Sequence, residues 1–337
     1  MNNKNHSKLL GCLTIVFAFV IASIMFSLVQ QFIPINNITL FIICYLITLR
    51  FLHYFTSKKV SKSQNLWLVT LLCLAIGSRF FSNKNFLPNN RSDADLIATK
   101  YIYHDNDSTE VFSHKRKWKD YIGKTYRGEF NIRTKDYYSS KEFHQNLNLP
   151  KSKSWKDLYK KITLEDKPKL DLILKEFYYL HKGHQLNQRQ FAEMVVSFVQ
   201  DIPYALVFQK ECLDASAYKD EIKETLEECP DCCIGNQKYG IQTPVEFLSN
   251  LKGDCDTRTM LVFTILKHFG YDVAILNSDF YLHSVIGISI PANGTYKSHF
   301  GKKYYLWETT NKYYKIGEMP KHLNNTSHWY VVLTNNS

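Results

Sequence analysis

Three long apolar runs open the chain. Leu9 to Ile33 is almost wholly apolar and uncharged, and a membrane span needs about 20 such residues. Ile38 to Phe55 is interrupted only by Arg50 and His53 near its end. Leu66 to Phe81 is apolar as far as Gly77 and is short for a span. The pattern predicts a transmembrane region over 1–82 with two or three helices. Ser82 to Asp95 is polar, contains Pro88 and reads as a linker.

Beyond the linker the periods become those of a globular domain. Thr125 to Ile132 alternates as a strand does, and within Trp155 to Leu180 the residues Leu158, Ile162, Leu170, Ile173, Leu174 and Phe177 recur at helical spacing. Residues 83–186 are therefore read as a linker and an accessory layer. From Gln190 the signal sharpens. Phe191, Val195, Phe198 and Val199 predict a helix that stops before Pro203. Cys255 to His268 predicts a second, with Gly270 just past its end. Strand-like runs follow at Tyr271–Leu276, His283–Ile290, Tyr304–Glu308 and Trp329–Leu333. Helices followed by an antiparallel sheet indicate an α+β domain over 187–337.

Charge changes the picture in one respect. The chain of 337 residues carries +11, yet residues 1–81 hold seven Lys and Arg and no acid. The other 256 residues carry only +4. The excess flanks apolar runs, where positive charge sets membrane topology, and His114-Lys115-Arg116-Lys117 has no nucleic-acid-binding motif around it. Nucleic acid is thus excluded as a partner, and the lipid bilayer is expected instead. Lys4 and Lys8 place the N-terminus inside, and Lys58, Lys59 and Lys62 place the second loop inside. Two spans would leave the C-terminal domain in the cytoplasm, the side that Arg79 and Lys84 favour, but the uncharged first loop and basic second loop alternate as three spans require, which puts the domain on the extracytoplasmic side.

The candidate chemistry centres on Gly253-Asp254-Cys255-Asp256-Thr257-Arg258. A cysteine at a helix start meets free N–H groups and the positive end of the helix dipole, which stabilise a thiolate. Gly253 permits a sharp entry, and Asp254 is placed to cap the helix. Nucleophilic catalysis also needs a base and a group that orients it. His283 opens one predicted strand and Glu308 ends another. If these strands are neighbours, Glu308 can hold one ring nitrogen of His283 while the other faces Cys255.

A cysteine at a helix start after Gly-x, then a histidine on one strand and an acid on the next, resembles the transglutaminase-like superfamily, whose domain has the papain-like fold. The likeness extends to Phe191–Tyr204 with Gln200-Asp201-Ile202-Pro203-Tyr204, to Thr243–Leu248, to Lys267–Val273, and to Glu308-Thr309-Thr310 after Trp307. It covers about 187–318. Two positions depart from the usual pattern: the acid is Glu308 where Asp is common, and Thr257 stands where many members carry an acid. The resemblance implies a cysteine hydrolase acting on peptide or amide bonds of a peptide or protein substrate, or an acyltransferase, with Cys255, His283 and Glu308 as catalytic residues. It implies no metal and no organic cofactor. Gln242 is a candidate oxyanion donor. A non-catalytic peptide- or cell-wall-binding module, or a membrane assembly component, is the alternative on the same fold.

Four further cysteines, Cys212, Cys229, Cys232 and Cys233, lie before the nucleophile. Outside the cytoplasm they can form two disulfides; inside it they can ligate zinc. Adjacent Cys232 and Cys233 are awkward as ligands to one ion, which favours disulfides.

Overall fold

The computed structural model describes residues 97–104, 107–149 and 154–335, with the isolated helical residues Ser23, Tyr45 and Thr48. One expectation is corrected here. No helix of the described residues is long and apolar enough to cross a membrane, so a transmembrane helical segment is not part of the observed fold class. Between 97 and 335 the longest helices have 14 residues. At 1.5 Å per residue such helices span about 21 Å, against about 30 Å of hydrocarbon. The runs at 9–33, 38–55 and 66–81 lie outside the described residues, apart from the three isolated ones.

The remainder is α+β with antiparallel sheets. Strands β1 (Ala98–His104), β2 (Asp107–Lys119) and β3 (Thr125–Arg133) form a meander in that order. Helices α1 (Thr134–Asn146), α2 (Trp155–Asp166) and α3 (Asp171–Gly183) follow, then α4 (Gln188–Asp201). A short parallel pair, β4 (Leu206–Val207) and β5 (Cys233–Ile234), brackets α5 (Asp220–Glu228). Helices α6 (Pro244–Asn250) and α7 (Cys255–His268) lead into β6 (Val273–Ser278), β7 (His283–Ile288), β8 (Tyr296–His299), β9 (Lys302–Trp307) and β10 (Tyr330–Thr334). These five strands make a sheet in the order β10-β6-β7-β9-β8.

Local chemistry accounts for the helix starts that matter. Asn187 caps α4 in a capping box with Gln190, and Thr243 caps α6 in another with Glu246, with Pro244 in the first turn. Asp254 caps α7 by accepting from the Thr257 N–H. Gly270, at φ +82°, ends α7 in the left-handed region.

The accessory layer shares one core with the region that follows it. Trp118 and Phe130 pack on Phe198 of α4, with ring centroids 5.1 and 4.5 Å apart. Met260, Leu261 and Ile265 of α7 continue the same cluster onto Ile275 and Ile286 of the sheet. The opposite sheet face has its own cluster, with Leu276, Val285, Leu306 and Trp329. The basic stretch 114–119 is the C-terminal half of β2: His114, Arg116 and Trp118 are buried, while Lys115, Lys117 and Lys119 are exposed. Arg116 bonds Asp201 at 2.9 Å.

Candidate active site

Cys255 is the first residue of α7 and is 7% exposed. The approach to it leaves no room for a side chain at position 253, where a Cβ would lie 2.9 Å from the Phe247 ring and 3.0 Å from the Thr257 methyl. The turn is held from within by Arg258, which is fully buried. Its Nε donates to the Gly253 carbonyl at 2.9 Å, Nη1 to those of Val199 and Thr309 at 2.8 and 3.3 Å, and Nη2 to that of Ile202 at 2.7 Å. The rings of Tyr204 and Phe247 flank the guanidinium, 5.7 and 5.8 Å from its carbon.

His283 begins β7, and Glu308 directly follows β9, the strand beside it. His283 Nε2 lies 2.9 Å from Glu308 Oε2, which leaves Nδ1 for the Cys255 sulfur, the other group that acts on the ring most strongly. Glu308 is completely buried. Its Oε1 accepts from the Thr310 N–H and hydroxyl, each at 2.7 Å. Gln200 Nε2 grips the Glu308 carbonyl at 2.7 Å. The three residues singled out from the sequence therefore come together, with Glu308 hydrogen-bonded to His283 and the Cys255 sulfur acting on the same ring.

The electrostatics follow from burial and neighbours. Burial alone would raise Glu308, but the imidazole and the Thr310 donors outweigh it and hold the carboxyl down at about 2. Burial alone would lower His283, but the Glu308 carboxylate and the Cys255 sulfur outweigh it and hold the imidazole well above its ordinary value. Burial, then the carboxylates of Asp256 and Asp254, push the Cys255 thiol up to about 11, with His283 pulling the other way. Asp254 is itself raised to about 7, by burial and by Asp256. Sulfur and imidazole thus share a proton as a pair. Glu308 and the α7 N-terminus favour the thiolate–imidazolium form, and the flanking carboxylates oppose it.

Gln242 is buried on the segment before α6. Its backbone N–H donates to Thr257 Oγ1 at 3.1 Å, and its side-chain Oε1 has no partner. The other oxyanion donor available is the Cys255 N–H, which has no intrahelical partner at the first turn. Two tyrosines at the site were not legible in the sequence. Tyr204 stands beside Cys255 with its phenol held neutral, first by burial and then by the sulfur. Tyr159, from the accessory layer, donates to Asp256 Oδ1 at 2.6 Å.

The four upstream cysteines pair as Cys212–Cys233 and Cys229–Cys232. Among the described residues no group of three or more His, Cys, Asp or Glu side chains is placed to hold a metal ion. The insertion is tied to the nucleophile turn. Leu206 N–H donates to the Cys232 carbonyl, Ala205 N–H to that of Gly253, and Lys252 Nζ to that of Asp231. Replacing Cys212 and Cys233 together by Ser opens a loop whose ends are 21 residues apart. The expected loss is about 3 kcal/mol of unfolding free energy, read by urea denaturation. A loss under about 0.5 kcal/mol would mean that the crosslink does not constrain the unfolded chain.

Comparison of the chain with protein-family models, with curated proteins and with solved structures finds no match.

Proposed function

We propose that this protein is a transglutaminase-like cysteine hydrolase acting on peptide or amide bonds through a Cys255 thioester. The observation that carries the reading is the grouping of Cys255, His283 and Glu308, with the histidine held at 2.9 Å by a buried carboxylate and its other nitrogen left for a cysteine at a helix start. His283 Nδ1 takes the thiol proton as the sulfur attacks the carbonyl. The Cys255 N–H, with Gln242 as candidate second donor, stabilises the oxyanion. His283 then returns the proton to the leaving amine, the C–N bond breaks, and water resolves the thioester with His283 as base. The two disulfides support an oxidising compartment for this region.

A non-catalytic peptide-binding module is the second reading. What favours it is the low exposure of Cys255 and the upward push on its thiol. Labelling separates the two. A chloroacetamide should modify Cys255 near neutral pH, below the free-thiol range of about 8.5. The reaction should vanish in Cys255→Ala and slow in His283→Ala, with mass spectrometry locating the adduct. A rate no faster than that of a free thiol, unchanged without His283, would leave the binding module as the better reading.

A further inference from the structure

A second constellation beside the nucleophile has no part in the acyl transfer. Asp256 follows Cys255 directly and keeps part of its surface exposed. Its Oδ1 accepts from the Tyr159 hydroxyl at 2.6 Å. The same phenolic oxygen accepts from Asn277 Nδ2 at 2.9 Å. Because the phenol proton goes to the carboxylate, the amide must present its NH₂ to the phenol, and this leaves Asn277 Oδ1 as the free end. Asn277 is 7% exposed, and that oxygen has no partner. Across the β6–β7 ladder Asn277 is paired with Ser284, which is completely buried. Burial raises the Asp256 carboxyl above its ordinary range, against the opposing pull of the Tyr159 hydroxyl, His283 and Ser284, and Ser284 Oγ makes no hydrogen bond of ordinary geometry. Among the described residues the charged group of opposite sign acting on Asp256 is His283, and no lysine or arginine pairs with it.

The place is therefore rich in acceptors and poor in donors. Each buried acceptor left unmade costs about 1–3 kcal/mol, and such atoms call for a ligand or a structural reason. The missing elements are N–H donors and positive charge. A primary ammonium supplies three donors on one atom together with the charge. A carboxylate or phosphate would find one donor, the Ser284 hydroxyl, and would face the Asn277 oxygen and the Asp256 carboxylate. A neutral amide would bring two donors and leave the carboxylate uncompensated.

We propose that Asp256, Asn277 and Ser284, with Tyr159 locking the first two in place, form a subsite for a protonated amine adjacent to the scissile carbonyl. The proposal rests on the reading of Cys255 as a nucleophile and names the chemistry of what that nucleophile works on. Two sources of the amine share this chemistry. One is the α-amine of the residue whose carbonyl is attacked. The other is a primary amine that accepts the acyl group: it gives one proton to the solvent and one to His283, its nitrogen bonds the thioester carbon, the C–S bond breaks, and sulfur leaves as the thiolate.

The test uses the full chain and three methanethiosulfonates, with aminoethyl (cationic), methyl (neutral) and sulfonatoethyl (anionic) groups. Second-order rates are read at Cys255 by peptide mass. The aminoethyl reagent should react about tenfold faster than the methyl reagent, and the sulfonate slowest. Asp256→Asn should erase the preference, each rate being taken relative to that of the methyl reagent in the same variant. Ser284→Ala leaves the charge unchanged and should still reduce the preference about threefold. No cationic preference, or a preference that survives Asp256→Asn, would overturn the subsite. A preference lost in Asp256→Asn but untouched in Ser284→Ala would overturn it in favour of a bare electrostatic field. If instead the methyl reagent's rate is indifferent to His283→Ala, it is the nucleophile reading that fails.

Two arms distinguish the source. Glycyl chloromethyl ketone with a free amine outpacing its N-acetylated form, only while Asp256 is present, places the amine on the acyl donor. Equal rates, with glycinamide saturably speeding release of an acetyl group from Cys255 in an Asp256-dependent way, place it on the acceptor. Dependence on Asp256 in neither arm would overturn the proposal.

Discussion

Glu308→Gln is expected to slow acylation of Cys255 by p-nitrophenyl acetate roughly 10³–10⁴-fold, about as much as removing His283 itself. The magnitude follows from a tautomer argument. Glu308 Oε1 is claimed by two donors of Thr310, and Oε2 faces His283 Nε2. In the native site Nε2–H donates to the carboxylate, and Nδ1 is free to take the sulfur's proton. A glutamine must turn its carbonyl toward the Thr310 donors, so its NH₂ faces Nε2. That nitrogen must then accept, the ring proton moves to Nδ1, and the base presents the wrong atom to Cys255. Loss of the carboxylate also removes the charge that holds the imidazole above its ordinary value. The variant should remain folded, because the amide still satisfies Thr310. A loss of less than about tenfold would mean that Glu308 does not set the tautomer.

Arg258→Met is expected to cost about 3–5 kcal/mol of unfolding free energy. The guanidinium serves four carbonyls, from the end of α4 (Val199), the turn after it (Ile202), the approach to the nucleophile (Gly253) and the segment after Glu308 (Thr309). Two of the four have other donors, since Ile202 N–H reaches the Val199 oxygen and Ala205 N–H that of Gly253. The Ile202 and Thr309 carbonyls would be left with the full desolvation penalty. Burial lowers the arginine only to about 10, so it is charged at neutral pH. Arg258→Lys keeps the charge but replaces a planar fork with a compact ammonium, so it should lose less stability and still loosen the Gly253 turn. Urea denaturation reads the first effect, and the rate of Cys255 alkylation in the lysine variant reads the second. A methionine variant within about 1 kcal/mol of the native protein would show that these carbonyls find other donors.

What the sequence determined by itself is local. Helix α7 runs from Cys255 to His268 as its pattern predicts, capped by Asp254 and closed by Gly270. Helix α4 stops at Asp201, before Pro203. Four of the five strands of the large sheet fall within a few residues of the apolar runs that announced them, and β8, mostly polar, was announced by none. Caps, prolines and periods of 3.6 and 2 act between near neighbours, so they can be read without knowing where the chain goes. Cys255, His283 and Glu308 were legible as residue types in suitable positions.

Their meeting was decided by the tertiary structure, through the pairing of β7 with β9 and the packing of α7 on the sheet. The same holds for β2, where Lys115, Lys117 and Lys119 mask a strand whose alternate residues are buried. Hydrophobic patterning cannot register His114 and Arg116 as interior positions, because what makes Arg116 tolerable there is Asp201, 85 residues away. The apolar runs before residue 82 pointed to membrane helices, whereas the helices of the described domain are short and packed into a shared core. Cysteine pairing depends on how an insertion folds back, which spacing leaves open. Tyr159 meets Asp256 across 97 residues of sequence. A contact of that range is fixed by the packing of whole elements, and a tyrosine on an amphipathic helix carries no local mark of it.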